Sequence, residues 1–326
     1  ATSPGALAAA VSLAASTGAR LAWVPRRAGE RGALEAGALG ALLPGGRPVS
    51  DAAARGEVAA VWEVASLPAK PGRDTASIVS AAASGAIGAL VVGGVDPGDL
   101  ALPQVSDALA KAFVVSLEIR ESAVTAVADV VLPVAPHAEK AGSFVNWEGR
   151  VRPFEAALST NSMSDHRVLD MLAAELGVFL ETRTQEQIND QFEALGPWPG
   201  ARATASGAAN GEGTAYGAGD GDVVLATWSL LLDRGRMQDG EPFLAGTARA
   251  SVARVSPALA ARLAVVDGDE VTVSSGTGSV SVPVLVTDGM VEGVVWLPTN
   301  SQGCAVRSAL GVDAGGRVTV SKGGAR

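Results

Sequence analysis

Residues 128–152 read ADVVLPVAPHAEKAGSFVNWEGRVR, and this stretch decides the fold. The apolar residues 130–132 have the length of a short buried strand, and Pro133 ends it. A polar loop punctuated by glycine follows, and it carries Glu139, Lys140, Asn146, Glu148 and Arg150. Polar side chains at the end of a buried strand are typical of α/β ligand sites, so this loop is the first candidate site.

Helical and strand patterns alternate before this loop. Helices are predicted over residues 3–18, 74–85 and 99–110 and after Glu121, and strands over residues 21–24, 87–92, 112–116 and 129–132. The run at 87–92 is continuously apolar, which is typical of a buried parallel strand. Repeated units of this kind predict an α/β domain with a parallel sheet covered by helices.

Two further helices follow the loop. One begins near Asp165 and ends at Gly177, and the other begins with a capping box of Thr184 and Gln187 and ends at Gly196. Residues 196–221 are rich in glycine, alanine, serine and threonine, which predicts a flexible linker between a domain at 1–195 and one at 222–326.

The last hundred residues change from helical to strand periodicity. Val271 and Val273 alternate with polar residues, and Val280, Val282 and Val284 share one face. A short helix is predicted from Ser256 and Pro257. We therefore expect half-buried antiparallel strands that close a small β-barrel.

Composition excludes several classes of function. The net charge of −9 argues against nucleic-acid and anionic-membrane partners, which need a positive surface. No apolar run approaches the roughly 18 residues of a membrane helix, and no basic segment precedes an apolar one as in a secretory signal. The start at Ala1 rather than Met predicts a fragment of a longer protein.

The single cysteine limits metal chemistry. Cys304 stands with only two histidines, His137 and His166, so this chain by itself lacks the four ligands of an iron-sulfur cluster or a structural zinc site. One cysteine also forms no disulfide within the chain, which is consistent with a reducing compartment. We predict that Cys304 is a buried, inert thiol.

Other motifs are weak signals of activity. Residues 93–97 (GGVDP) could approach a phosphate but lack nucleotide-binding spacing, so a tight turn is the favoured interpretation. His137 and Glu139 form the H-x-E pair of zinc deaminases without the cysteines that complete that site. The charged residues of the helix at Asp165, including His166, are predicted to form a solvated face. The same is predicted for Arg26, Arg27, Glu30 and Arg31, although an exposed arginine cluster could also contact a partner.

The polar loop itself allows two interpretations. Asn146, Glu148 and Arg150 could bind a ligand, or they could tie their own loop through ion pairs and backbone hydrogen bonds, which we favour. Trp147 between them is predicted to anchor the loop by packing.

The order of these motifs resembles a known family. A-D-V-V-L-P followed by E-K-x-G-x-F-x-N-x-E-G-R is similar to the signature of the molybdopterin oxidoreductase superfamily. The run P-x-x-A-x-R-L-x-V-x-D-G-D at 257–269 resembles its C-terminal, double-psi, dinucleotide-binding barrel. The tail W-L-P-T-N-S-x-G-C at 296–304 looks most like the large iron-sulfur subunit family of bacterial NADH-quinone oxidoreductase, respiratory complex I.

This resemblance implies a non-catalytic C-terminal scaffold of a proton-translocating NADH-quinone oxidoreductase. It implies that upstream cysteines of the full-length subunit bind 4Fe-4S and 2Fe-2S clusters. It also implies flavin-bearing, NADH-binding and iron-sulfur partner subunits, in a peripheral arm on the cytoplasmic side of the cell membrane, with no direct insertion into it.

Molybdopterin is expected to be absent. In the molybdenum-binding enzymes of this superfamily, a segment rich in His, Thr and Arg binds the cofactor. The corresponding residues here, 227–251, contain no histidine and only scattered arginines. We therefore expect no catalytic, cofactor-binding or metal-ligating residue in this chain. The alternatives are the C-terminal part of a formate dehydrogenase or nitrate reductase, and a free-standing binding module.

Overall fold

The computed structural model describes residues 6–25, 27–202, 222–238 and 240–323. The chain forms two compact units. The α/β unit comprises residues 20–95 and 107–206, and the barrel unit comprises residues 1–19, 96–106 and 207–326. The units are therefore not continuous in sequence. Of the predicted linker, residues 203–221 lie outside the described residues, as do the predicted helix-starting residues Ser3 and Pro4.

Helices and strands alternate along the first two thirds of the chain, and strands dominate the last third. The described helices are α1 (Ala6–Thr17), α2 (Glu30–Glu35), α3 (Ala52–Val61), α4 (Thr75–Ser84), α5 (Val105–Lys111), α6 (Asp165–Glu175), α7 (Gln185–Leu195), α8 (Pro242–Ala245), α9 (Pro257–Leu263) and α10 (Val306–Leu310). The described strands are β1 (Leu42–Leu43), β2 (Arg47–Pro48), β3 (Ala89–Gly93), β4 (Phe113–Glu118), β5 (Val130–Pro133), β6 (Gly142–Val145), β7 (Val151–Phe154), β8 (Asp222–Trp228), β9 (Ala253–Val255), β10 (Glu270–Ser274), β11 (Ser279–Val286), β12 (Val294–Pro298), β13 (Asn300–Ser301), β14 (Cys304–Ala305) and β15 (Arg317–Lys322).

The α/β unit contains the predicted parallel sheet. Among the described residues its strand order is β3-β4-β5, with Val91 opposite Val115 and Leu117 opposite Leu132. The parallel strand predicted at 87–92 is confirmed as β3, but its predicted burial was wrong, because β3 lies at an edge of this sheet and Val91 is 57% exposed. The central strand β4 supplies the buried residues Val114 and Leu117 instead.

Two predicted elements do not form as expected. Residues 21–24 pair with no strand among the described residues, and Leu21 and Val24 are exposed. The helix expected at 99–110 is a 3-10 turn at Pro97–Asp99 followed by α5. Pro103 explains the interruption, because proline restricts the preceding residue and cannot donate to a helical hydrogen bond. The short helix after Glu121 is a 3-10 turn at Thr125–Val127.

The predicted helix caps are confirmed. Asp74 accepts a hydrogen bond from the Ser77 amide at 2.8 Å at the start of α4. At α7 the Thr184 hydroxyl accepts from the Gln187 amide at 3.2 Å, and the Gln187 side chain accepts from the Thr184 amide at 3.1 Å. These bonds satisfy amides that would otherwise have no partner in the first helical turn.

The predicted β-barrel is also confirmed. It closes in the order β10-β11-β9-β12-β8-β15, with parallel pairing of β11 to β9 and of β12 to β8. Val271, Val273, Val282 and Val284 point into its core, as their alternation predicts. The short helix α9 begins with the Ser256 hydroxyl, which accepts from the Leu259 amide at 3.2 Å.

The segment 96–106 belongs to the barrel unit, although it follows β3 of the α/β unit in sequence. Its 3-10 turn contacts α10, and Asp99 lies 3.7 Å from the Arg307 guanidinium, measured between Oδ1 and Nη1. None of the described helices is both long and apolar enough to cross a membrane.

Candidate functional site

A cavity of about 790 Å³ lies at the carboxyl ends of β4 and β5. Parallel α/β sheets bind ligands at this edge, because loops leave the strands there and expose backbone and polar groups. The lining residues are Glu118, Ile119, Arg120, Glu121, Ser122, Thr125, Ala126, Val131 and Pro133. None of these was singled out from the sequence as a site residue.

Glu118 is the most unusual residue of this cavity. It ends the central strand, and only 7% of its surface is exposed. Its Oε1 accepts a hydrogen bond from the Ile119 amide at 3.0 Å. The sequence could have indicated Glu118 as a site residue, because it is a charged residue directly after the largely apolar run 112–117.

One wall of the cavity is a closed turn. The Ser122 amide donates to the Thr125 hydroxyl at 2.7 Å, and the Thr125 amide donates to the Ser122 hydroxyl at 3.2 Å. Both hydroxyl oxygens therefore accept hydrogen bonds from backbone amides, and the charged groups of the lining are Glu118, Arg120 and Glu121.

Asn146, Glu148 and Arg150 form the tip of the β6–β7 hairpin. Asn146 Oδ1 accepts hydrogen bonds from the amides of Glu148 at 3.0 Å and Arg150 at 2.8 Å. The Arg150 guanidinium lies 3.3 Å from Glu148, measured between Nε and Oε2, and Gly149 adopts a φ of 88°. The three polar side chains and the glycine thus shape this turn.

Trp147 does not anchor the hairpin. Its side chain is 51% exposed at the tip, so the packing role predicted for it was wrong. Phe144 and Phe154 pack together instead, with ring centroids 5.4 Å apart. These two residues lie on opposite strands of the hairpin, where cross-strand aromatic pairs are favourable.

Glu139 and Lys140 lie apart from the hairpin tip, beside a second cavity of about 500 Å³. Lys140 forms an ion pair with Asp165, the first residue of α6. His137 and Glu139 share a 3-10 turn, and no cluster of three metal-ligating side chains occurs in the described part of the chain. The signature residues are therefore divided between two places.

The prediction of a solvated face on α6 was wrong for His166 and Asp170. His166 Nδ1 lies 2.6 Å from the Thr182 carbonyl oxygen, and its Nε2 lies 2.8 Å from the Ser164 hydroxyl. Asp170 is buried and accepts from the Thr182 amide at 3.0 Å and from the Arg183 guanidinium at 2.9 Å. These hydrogen bonds lower the pKa of Asp170, since both favour its charged form.

Cys304 is buried on β14, as predicted. Its thiol lies 3.4 Å from the Pro298 carbonyl oxygen, and burial raises its pKa to about 11. A thiol with such a pKa remains protonated at neutral pH and is a poor nucleophile.

The GGVDP turn at 93–97 is held by a hydrogen bond between one of its side chains and nearby backbone. Asp96 Oδ1 accepts from the Gly98 amide at 2.9 Å and starts the 3-10 turn. This geometry is that of the tight turn favoured from the sequence.

Two family models match the chain. Molybdopterin oxidoreductase matches residues 5–169, and the molydopterin dinucleotide binding domain matches residues 236–321. The first model covers half of the chain and the second covers most of the barrel.

Curated relatives match nearly the whole chain. The G subunit of NADH-quinone oxidoreductase from Mycobacterium tuberculosis is 54% identical over 99% of this chain and 40% of its own length. The same subunit of Streptomyces coelicolor is 50% identical over 94% of this chain and 37% of its own. A putative formate dehydrogenase of Bacillus subtilis is 28% identical over 83% of this chain and 32% of its own. The chain thus spans about 40% of the length of the mycobacterial relative.

Proposed function

The chain belongs to the molybdopterin oxidoreductase family, and from this premise we propose that it is the C-terminal scaffold part of the G subunit of an NADH-quinone oxidoreductase. In this role it supports electron transfer from NADH to quinone without a redox centre of its own. The clusters are held by cysteines elsewhere in the subunit and by neighbouring subunits of the peripheral arm, on the cytoplasmic side of the membrane.

The main support for this proposal is that the chain is more similar in sequence to G subunits than to a putative formate dehydrogenase. Identity to the mycobacterial G subunit reaches 54% over 99% of the chain, whereas identity to the putative formate dehydrogenase is 28% over 83%. The state of Cys304 agrees with it, because a buried thiol with a raised pKa is poorly suited to ligate a metal.

The charged groups of the sheet-edge cavity and of the segment after β8, taken separately, do not suit a molybdopterin dinucleotide. Such a group carries a diphosphate, which needs an excess of positive charge or unpaired amides. The sheet-edge cavity instead places Glu118 and Glu121 beside the single cation of its lining, Arg120. In the segment after β8, Arg236 lies 3.7 Å from Asp96, and the Arg254 guanidinium stacks 5.4 Å from the Trp296 ring. These contacts support the absence of molybdopterin.

The runner-up is the C-terminal part of a molybdenum enzyme such as a formate dehydrogenase or nitrate reductase. Relatives with these names are less similar to the chain than the G subunits are. Copurification separates the two functions. We expect an affinity tag on the full-length subunit to recover flavin-bearing and cluster-bearing subunits with NADH-quinone reductase activity. Recovery of formate dehydrogenase or nitrate reductase activity instead would overturn the proposal.

A further inference from the structure

An apolar surface is exposed where α6 leads into α7. It consists of Leu169, Leu176, Val178, Phe179 and Leu180, which we term the α6–α7 patch. Leu176 and Phe179 are each 77% exposed. Exposed large apolar side chains grouped within a few residues of chain mark an interaction site more often than scattered ones do, because water disfavours apolar surface.

The backbone beneath the α6–α7 patch is held in place. The Val178 amide donates to the Ala173 carbonyl at 2.9 Å, and Gln191 Nε2 donates to the Leu180 carbonyl at 2.8 Å. Both backbone groups of Thr182 are bonded to side chains of α6. The apolar side chains are thus presented by an ordered loop, which lowers the entropy lost on binding.

The exposed charged side chains of residues 175–195, which we term the rim of the α6–α7 patch, are mostly acidic. Over residues 175–195 the acidic side chains are Glu175, Glu181, Glu186, Asp190 and Glu193, and all are exposed. The only cation in that range, Arg183, pairs with Asp170 at 2.9 Å. Even with the exposed Arg167 of α6 included, acidic side chains outnumber basic ones here, so a partner that covers the patch meets an excess of negative charge.

We propose that the α6–α7 patch docks a basic amphipathic segment of another protein, with apolar side chains set between Lys and Arg residues. Charge complementarity is the reason for choosing a basic segment as the partner. A second copy would bring two acidic rims together, and an anionic membrane would be repelled. That the partner is a neighbouring subunit of the respiratory complex rests on the function proposed above.

Site-specific crosslinking tests this docking in the assembled complex. We would place p-benzoylphenylalanine at Phe179 of the full-length subunit, irradiate the purified complex and map crosslinked peptides by mass spectrometry. The expected product joins Phe179 to a Lys- and Arg-rich segment of another polypeptide. The same label at Val91, which is 57% exposed on the edge strand β3 of the α/β unit and outside the patch, should not give that product.

Other products would overturn the inference. Crosslinks to a second copy, to another part of the same polypeptide or to no polypeptide all contradict it. If no flavin-bearing subunit copurified, the proposed function would be contradicted. A crosslink from Phe179 to a basic segment would still support docking at the α6–α7 patch in that case.

Charge reversal provides the second readout. Glu175→Lys with Glu181→Lys should lower the crosslink yield at Phe179 roughly tenfold, because the rim no longer attracts a basic partner. Asp288→Lys, an exposed change on the barrel unit, is the control and should leave the yield unchanged. Equal yields in both variants would exclude charge complementarity.

Discussion

Arg47 Nη2 donates a hydrogen bond to the Leu195 carbonyl oxygen at 2.6 Å, across 148 residues of sequence. The same guanidinium bonds the Gly196 and Pro44 carbonyls and lies 2.9 Å from Glu57, measured from Nε to Oε2. Its side chain is 1% exposed. Arg47 thus closes the C-terminal end of α7, where carbonyl groups lack helical partners.

Arg47→Met should lower the free energy of unfolding by about 3 kcal/mol, because three partly buried carbonyl groups lose their donor at once. Chemical denaturation of the full-length subunit provides the measurement. Glu57→Gln is the matched control, since Glu57 is 44% exposed and its ion pair should contribute less than about 1 kcal/mol. Similar losses in both variants would show that the ion pair, rather than the carbonyl bonds, stabilises this corner.

Asp170 should make stability depend on pH. Its pKa is lowered in the folded state, so its contribution is present above the pKa of the unfolded chain and is lost as the pH falls through the folded pKa. Asp170→Asn should therefore lower Tm at pH 7, and this effect should fade as the pH falls below 3.8, the ordinary aspartate pKa, and through the lower folded pKa. A Tm difference that stays constant with pH would contradict this origin, and Asp288→Asn on an exposed turn serves as the control.

Thr184→Ala should lower the stability of the α/β unit by about 1 kcal/mol, because the Gln187 amide loses its acceptor. Thr184→Ser keeps the hydroxyl and should retain most of the stability. Urea unfolding monitored by circular dichroism distinguishes the two. Equal loss in both variants would indicate that the threonine methyl group, not the cap, matters.

Asn146→Ala should reduce stability by roughly 1–2 kcal/mol, because the amides of Glu148 and Arg150 lose one shared acceptor. Asn146→Asp keeps that acceptor and should cost less. NADH-quinone reductase activity of folded complex should remain in both variants. A loss of activity at unchanged Tm would indicate that this loop binds a ligand.

Much of the fold could be predicted because local signals agreed with one another. The Asp74 cap, the capping box at Thr184 and the alternation at Val271 and Val273 each determine an element from neighbouring residues. The strand predicted at 21–24 failed because strand formation needs a partner strand, and an apolar run does not supply one.

The polar contacts were harder to predict because they join distant segments. His166 and Asp170 are one helical turn apart and suggest a solvated face, yet the chain returns at Thr182 and covers them. Arg47 reaches α7 in the same way. Glu118 is buried because it ends β4, which lies between β3 and β5. The sequence does not specify this strand order.

A scaffold without a molybdopterin centre is the role proposed for this part of the subunit. Molybdenum and oxidised-pterin fluorescence, measured per flavin in the purified intact complex, test it most directly. We expect neither above background in a complex that reduces quinone with NADH. One pterin and one molybdenum per flavin would contradict the proposed role.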